Sequence, residues 1–223
     1  EVHLFADRGH GFMGDPSKGE EGTAYDHWLD RVCEFMRQMN FDGRLGKEVD
    51  LMSRYEKDDS RGKYRKESIW PNGRMPNVQS KKCQPYLEWH FPKERTTKAI
   101  QIIYSGGGYG GNNPDSFEVA PARRYLNEKG MTVVTMKYRT PRPQGGFAKH
   151  TTAWQDLQRA IRMVRNQAKK ENLDPDRIGI MGSSAGGHLT LMGATSSKQK
   201  VSWAIDDLHK ISCKVQWAVA IYP

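Results

Sequence analysis

Cysteine is scarce: Cys33, Cys83 and Cys213 are the only three in 223 residues. They are too few and too scattered for a zinc site or a disulfide framework, and leave room for at most one bridge. No apolar run reaches the roughly 18 residues of a membrane-spanning helix, so none is expected. No secretory leader is visible. The opening EVHLFAD reads as a strand rather than a natural beginning, so that absence says nothing about secretion. Acidic residues are the minority, 26 Asp and Glu against 35 Lys and Arg, for a formal charge of +9. Such a surplus can draw nucleic acid or anionic polysaccharide. No nucleic-acid motif accompanies it, and no membrane partner is expected either. The basic residues are spread along helices and loops, as in Arg159, Arg162, Arg165, Lys169 and Lys170, and are expected to form a solvated surface. Internal repeats and low-complexity tracts are missing too.

Hydrophobic residues make up 36% and glycines number 22, which is enough for a real core and, at this length, one domain. Apolar strand patterns recur at 98–105, 131–138, 177–182 and 215–223, with another strand over 86–91. Helical patterns lie between them. One runs over 116–129 and is stopped by Gly130. Another runs over 152–171, with Thr152 and Gln155 as a capping pair and a buried face at Leu157, Ile161, Val164 and Ala168. Alternating strands and helices predict an α/β fold, a mostly parallel sheet covered on both faces. Towards the front, residues 1–7 alternate as a strand. An amphipathic helix over 24–39 follows, capped by Thr23. Residues 42–68 are charged and read as an arm, and IWPNGRMPN at 69–77 starts a new unit. The expected segments are therefore 1–41, a linker and domain start at 42–84, and a core at 85–223.

One stretch organises the rest: RIGIMGSSAGGHLTLMG, residues 177–193. Strand, abrupt turn and helix surround Gly182-Ser183-Ser184-Ala185-Gly186, a G-x-S-x-G pattern. By itself that pattern arises by chance in roughly one chain in ten of this length. Its setting makes it specific. A serine on such a turn stands clear of the sheet, and flanking glycines let strand and helix pass without Cβ clashes. Ser184 is the candidate nucleophile, and Ser183 its structural neighbour. A serine hydrolase also needs a base and donors for the oxyanion. The run Gly106-Gly107-Gly108 follows a central strand and offers closely approaching amides. No Lys-Ser/Thr follows it, so it is not a Walker loop. Gly107, Gly108 and the amide of Ala185 are the candidate oxyanion donors. Among seven histidines, His90 and His3 lie within strands, and His27 and His209 in polar helical surroundings. His188 packs on the helix after Ser184. His150, ahead of the long helix, rivals His10 as base, and His10 is preferred because Gly-His-Gly follows a strand and opens a loop. No metal or cofactor is needed for this chemistry.

IYSGGGYGG, MKYRTP, DLQRAIRMVRNQA, DPDRIGIMGSSAGGHL and AVAIYP resemble the acetylxylan esterase branch of the α/β-hydrolase fold, close to bacterial feruloyl-esterase-type lipases and esterases. HLFADRGHGF, with the Trp-containing helix after it, resembles the C-terminal segment that carries that family's catalytic histidine, and IWPNGRMPN the start of its domain. The likeness covers 1–39 and 85–223. It implies a serine esterase removing acyl, chiefly acetyl, groups from carbohydrate such as xylan. Ser184 would be nucleophile, His10 base, and Gly107, Gly108 and Ala185 the oxyanion hole. It also implies a secreted or periplasmic setting. Relatives often carry His or Pro where this chain has Ser105.

The order departs from the family. There the triad runs Ser, acid, His, whereas His10 precedes Ser184 and no acid occupies a matching context. Asp7 belongs to the histidine strand, and Asp206 and Asp207 precede the last strand. The acid's segment would need at least ~30 residues. A fragment spanning two tandem copies, a circular permutation with 40–70 as the new connection, and an incomplete or scrambled sequence all explain this order. In the sheet of the family it resembles, the acid-bearing strand lies between the strands that 215–223 and 1–6 resemble. A second chain or a further segment of polypeptide is expected to fill that slot, unless 1–40 packs elsewhere.

Overall fold

Strands buried on both faces need apolar side chains at nearly every position, and the centre of this chain supplies them. The computed structural model describes residues 2–5, 64–70, 74–77, 84–140 and 148–223. Among these the strands are β1 (Val2–Phe5), β2 (Tyr64–Ser68), β3 (Tyr86–His90), β4 (Ile100–Tyr104), β5 (Thr132–Lys137), β6 (Ile178–Ser183) and β7 (Trp217–Ile221). The helices are α1 (Ala120–Glu128), α2 (Thr151–Ala168) and α3 (Ala185–Thr195). One seven-stranded sheet runs in the order β1-β7-β6-β4-β5-β3-β2. Its pairings are parallel except those of β3 with β5 and with β2.

Register sorts the side chains by face. Ile102 lies beside Ile180 and Val134, and these pack with Leu157, Ile161 and Val164 of α2 and Leu189 of α3 in one apolar cluster. Each such side chain, fully buried, contributes about 1.5–3 kcal/mol. The alternate residues Ile103, Val133, Met181 and Val219 are also buried, outside that cluster. On their side α1 packs against β5 and buries Ala122, Tyr125 and Leu126. Helices therefore cover both faces, as the alternation predicts.

Several local expectations change. Helix α1 starts at Ala120 rather than Ser116, because Ser116 O instead closes a turn with the amides of Val119 and Ala120 (both 2.9 Å) ahead of Pro121. Its end follows expectation: Gly130, at φ 85°, donates to Asn127 O (3.0 Å). Helix α2 has no Thr152–Gln155 capping pair. His150 flanks its start without a side-chain cap, and the Gln155 side chain instead donates to Val201 O (2.8 Å) and accepts from Arg139 (3.0 Å).

The basic surface expected along α2 is largely interior. Arg159 and Arg162 are buried. Arg159 donates to Ile69 O (2.6 Å) and grips Asp206, while Arg162 donates to Ile211 O (3.0 Å). Arg165 donates to Pro175 O (2.9 Å) and Lys214 O (2.5 Å). The Arg159 and Arg162 guanidiniums satisfy carbonyls of segments wrapped around the helix, which burial would otherwise leave unpaired. Lys169 and Lys170 are exposed, as expected.

The front of the chain brings two corrections. Within the stretch read as an arm, β2 is an edge strand with ordered tethers. Glu67 accepts from Trp89 Nε1 (2.5 Å) and Gln167 Nε2 (2.7 Å), and Arg65 pairs with Glu171. More consequentially, β1 pairs directly with β7, Val2 beside Ala218 and Phe5 beside Ile221. No strand lies between them, against the expected filled slot. Direct pairing itself satisfies the backbone groups along that edge of β7. The helix expected over 24–39 and the candidate base His10 lie outside the described residues.

Candidate active site

Between the last residue of β6 and the first of α3 the chain has one residue in which to reverse, and that residue is Ser184. It does so at φ 52° and ψ −122°, a region costing a non-glycine residue about 1–3 kcal/mol. Neighbouring elements hold it there. Its amide donates to Ile221 O at the end of β7 (3.0 Å), and its carbonyl accepts from His188 N (2.9 Å). The flanking glycines act by close approach. A Cβ on Gly182 would stand 2.6 Å from Gly186 O, and one on Gly186 2.7 Å from Ser105 O. Ser183 is buried, and among the described residues its Oγ has no hydrogen-bond partner.

The strand beside β6 is β4, so the loop after β4 reaches the same edge of the sheet. Gly106 lies directly against the serine: a Cβ there would be 2.7 Å from Ser184 Cβ and 3.4 Å from its Oγ. Three side chains fasten this loop. Glu118 accepts from Gly106 N (2.9 Å) with one oxygen and from the Tyr222 hydroxyl (2.8 Å) with the other. Tyr138 donates to Ser105 O (3.1 Å) and Gly106 O (3.0 Å). Ser105 Oγ accepts from Asn113 N (3.0 Å). With the Gly106 amide occupied, the chain turns left-handed through Gly107 (φ 102°), Gly108 (58°) and Tyr109 (61°), and Gly107 O accepts from Gly110 N (2.9 Å). Thus Ser184, Ala185, Gly107 and Gly108 come from adjacent strand ends. The N-terminus of α3 adds free amides and the positive end of its dipole.

Most of the other candidates fall elsewhere. His90 is buried in β3 beside Thr135 Oγ1 (3.2 Å), and His209 lies in a 3-10 turn with Asp207 and Lys210. Asp206 is held by Arg159, whose hydrogen bonds keep its carboxyl below the usual range, and Asp207 pairs with Lys210 (2.7 Å). The rival base His150 lies 5.3 Å, ring to ring, from His188 and 6.0 Å from Trp154. Burial, then the neighbouring His188, pushes its imidazole below the usual 6.5. Sequence reasoning missed Glu118, and it treated His188 only as packing. The side chain of His188 bonds the Tyr109 hydroxyl (Nδ1 to O, 2.8 Å). A helical residue four places after Ser184 was the available signal for a contact beside the serine. Among the described residues no three His, Cys, Asp or Glu side chains gather as a metal site requires.

Residues 87–223 match the family model described as BD-FAE. Over 113 residues the chain is 35% identical to an acetylxylan esterase of Xylanibacter ruminicola, covering 50% of this chain and 22% of that protein. Over 124 residues it is 27% identical to endo-1,4-beta-xylanase B of Butyrivibrio fibrisolvens, covering 56% of this chain and 19% of that one. Among solved structures it resembles an acetyl ester-xyloside bifunctional hydrolase from Caldicellulosiruptor lactoaceticus, with a TM-score of 0.57 and 30% identity, over 70% of this chain and 56% of that one. The chain thus spans roughly a fifth of these curated relatives and a little over half of the solved one.

Proposed function

This chain belongs to the BD-FAE family and has the α/β-hydrolase fold; from that footing we propose that it is a serine carboxylic ester hydrolase. One observation carries the reading. Ser184 is held at φ 52° on the turn from β6 to α3, with Gly106 packed against its Cβ and the Gly107–Gly108 turn beside it. A polypeptide maintains a strained polar residue at a helix N-terminus where the strain serves chemistry.

In the proposed reaction Ser184 Oγ attacks the ester carbonyl carbon, and His10 takes its proton. The carbonyl oxygen becomes an anion held by the amides of Gly107, Gly108 and Ala185. Collapse expels the alcohol, which carries away the proton from His10 and leaves an acyl-serine. Water then repeats the sequence and releases the acid. The parallel run of β1 along β7 supports a role for His10. Phe5 stands opposite Ile221, whose carbonyl holds the Ser184 amide, so β1 ends at the serine's edge of the sheet. No residue is assigned as the catalytic acid, and Glu118 is already occupied by Gly106 and Tyr222. For substrate we propose acylated carbohydrate, acetylated xylan above all. The names of the Xylanibacter, Butyrivibrio and Caldicellulosiruptor relatives all concern xylan or xylosides.

The test is turnover of p-nitrophenyl acetate by the intact protein. Ser184→Ala is expected to lower kcat by at least about 10³-fold and to abolish labelling by a fluorophosphonate. Undiminished turnover in that variant rejects the assignment.

A further inference from the structure

The two halves of the proposed oxyanion pocket come from different elements. Gly107 and Gly108 belong to the loop after β4, and Ala185 opens α3. Their separation therefore depends on what ties that loop to that helix. Glu118 and Tyr138 fasten the loop at Ser105 and Gly106, ahead of the two glycines. Past the glycines the chain reaches Tyr109, a non-glycine residue at φ 61°, in a conformation that disfavours a side chain. Its ring is buried, about 6.0 Å from Tyr138 and 6.5 Å from His150. Its hydroxyl meets His188 Nδ1 at 2.8 Å. His188 in turn is tied to the nucleophile's own turn, since its amide donates to Ser184 O (2.9 Å).

We propose that His188 is a positioning residue of this site, whose hydrogen bond to Tyr109 sets the distance between the glycine turn and the N-terminus of α3. This rests on the esterase reading above. The bond links the side chain at the far end of the turn to the helix that carries Ser184 and Ala185. Burial pushes the Tyr109 hydroxyl well above its ordinary range, so it stays protonated and keeps a proton to share. Losing the bond frees the Tyr109 ring to shift along α3 and takes Gly107 and Gly108 with it. Donors misplaced by a fraction of an ångström still admit the ground-state ester but hold the developing oxyanion less well. The consequence belongs to kcat rather than KM.

The experiment compares Tyr109→Phe, His188→Leu, His188→Asn and the Tyr109→Phe/His188→Leu double variant with wild type. It measures kcat and KM for p-nitrophenyl acetate and the melting temperature of each protein. Tyr109→Phe removes one oxygen and leaves the packing, so folding does not confound it. Asparagine sets an amide near the place of Nδ1 and can pair with the hydroxyl whichever partner donates. Tyr109→Phe and His188→Leu are each expected to lower kcat about tenfold, one hydrogen bond's worth of alignment, with KM within about twofold. The double variant is expected to be no slower than the slower single, and His188→Asn to recover kcat to within about threefold of wild type. Unchanged kcat in both single variants, losses that multiply in the double variant, or failure of asparagine to rescue overturns the proposal. A wild type that turns over no ester overturns the parent reading and this one together, whereas an active wild type with unaffected variants overturns this one alone.

Discussion

Strain and space at single residues govern the site. Ser184 at φ 52° is held where glycine would sit without penalty. Ser184→Gly should therefore be more stable than Ser184→Ala by about 1 kcal/mol, or roughly 2–4 °C in Tm by calorimetry, although both lack the nucleophile. Gly106 illustrates space. An alanine there would put its Cβ 2.7 Å from Ser184 Cβ and 2.8 Å from Ser183 O. Gly106→Ala should cut kcat for p-nitrophenyl acetate by at least about a hundredfold, because the serine or the loop must move. His150 carries a pH signature. Burial and His188 hold its folded-state pKa below 6.5, so the unfolded chain binds the proton more readily. Its contribution to stability is whole above pH 6.5 and is lost as pH falls from there towards the lower folded value. The urea midpoint should drop less between pH 7.5 and pH 5.5 in His150→Gln than in wild type.

Among the elements, α2 is the one the rest of the chain is fastened to. It lies out of water on nearly every side from Thr152 to Val164, charged residues included. Its Asp156 is fully buried and accepts from the Arg139 backbone amide (2.7 Å), from Arg139 Nε (2.8 Å) and from Trp70 Nε1 (2.6 Å). Burial pushes this carboxyl up and the Arg139 guanidinium opposes it. Arg139 goes on to Thr152 O (3.1 Å) and to Pro76 O. The network pins Trp70, Pro76 and the residues just after β5 onto one helix. Removing one partner strands a buried charge, so Arg139→Met should lower unfolding free energy by about 3–5 kcal/mol in a urea titration. Replacing both partners with apolar residues should cost much less.

At the scale of the molecule, the sheet brings distant parts of the chain to one edge. β1 lies parallel to β7, and their ends meet at the Ser184 amide through Ile221. Deleting residues 1–7 should uncover the β7 edge. The amides of 217–221 should then exchange faster with deuterium than in the full chain, whereas those of β4, two strands further in, should change little. Equal protection in both proteins would mean that this pairing contributes nothing to the sheet.

The sequence by itself determined the features that depend on neighbours along the chain. Largely apolar runs mark β4 to β7, because a strand covered on both faces has few positions for water-seeking side chains. Gly130 ends α1, and the spacing of glycines around Ser184 announces the turn, because positive φ and close backbone approach are local demands. Tertiary structure alone decided what depends on residues far apart. Nothing local distinguishes an arginine on α2 that will reach water from one that will meet the carbonyl of Ile69. Nor does the Tyr109 sequence context reveal that its hydroxyl will find His188. The place of β1 beside β7 follows from which edge has backbone groups to satisfy, and an edge exists only once the other strands have assembled.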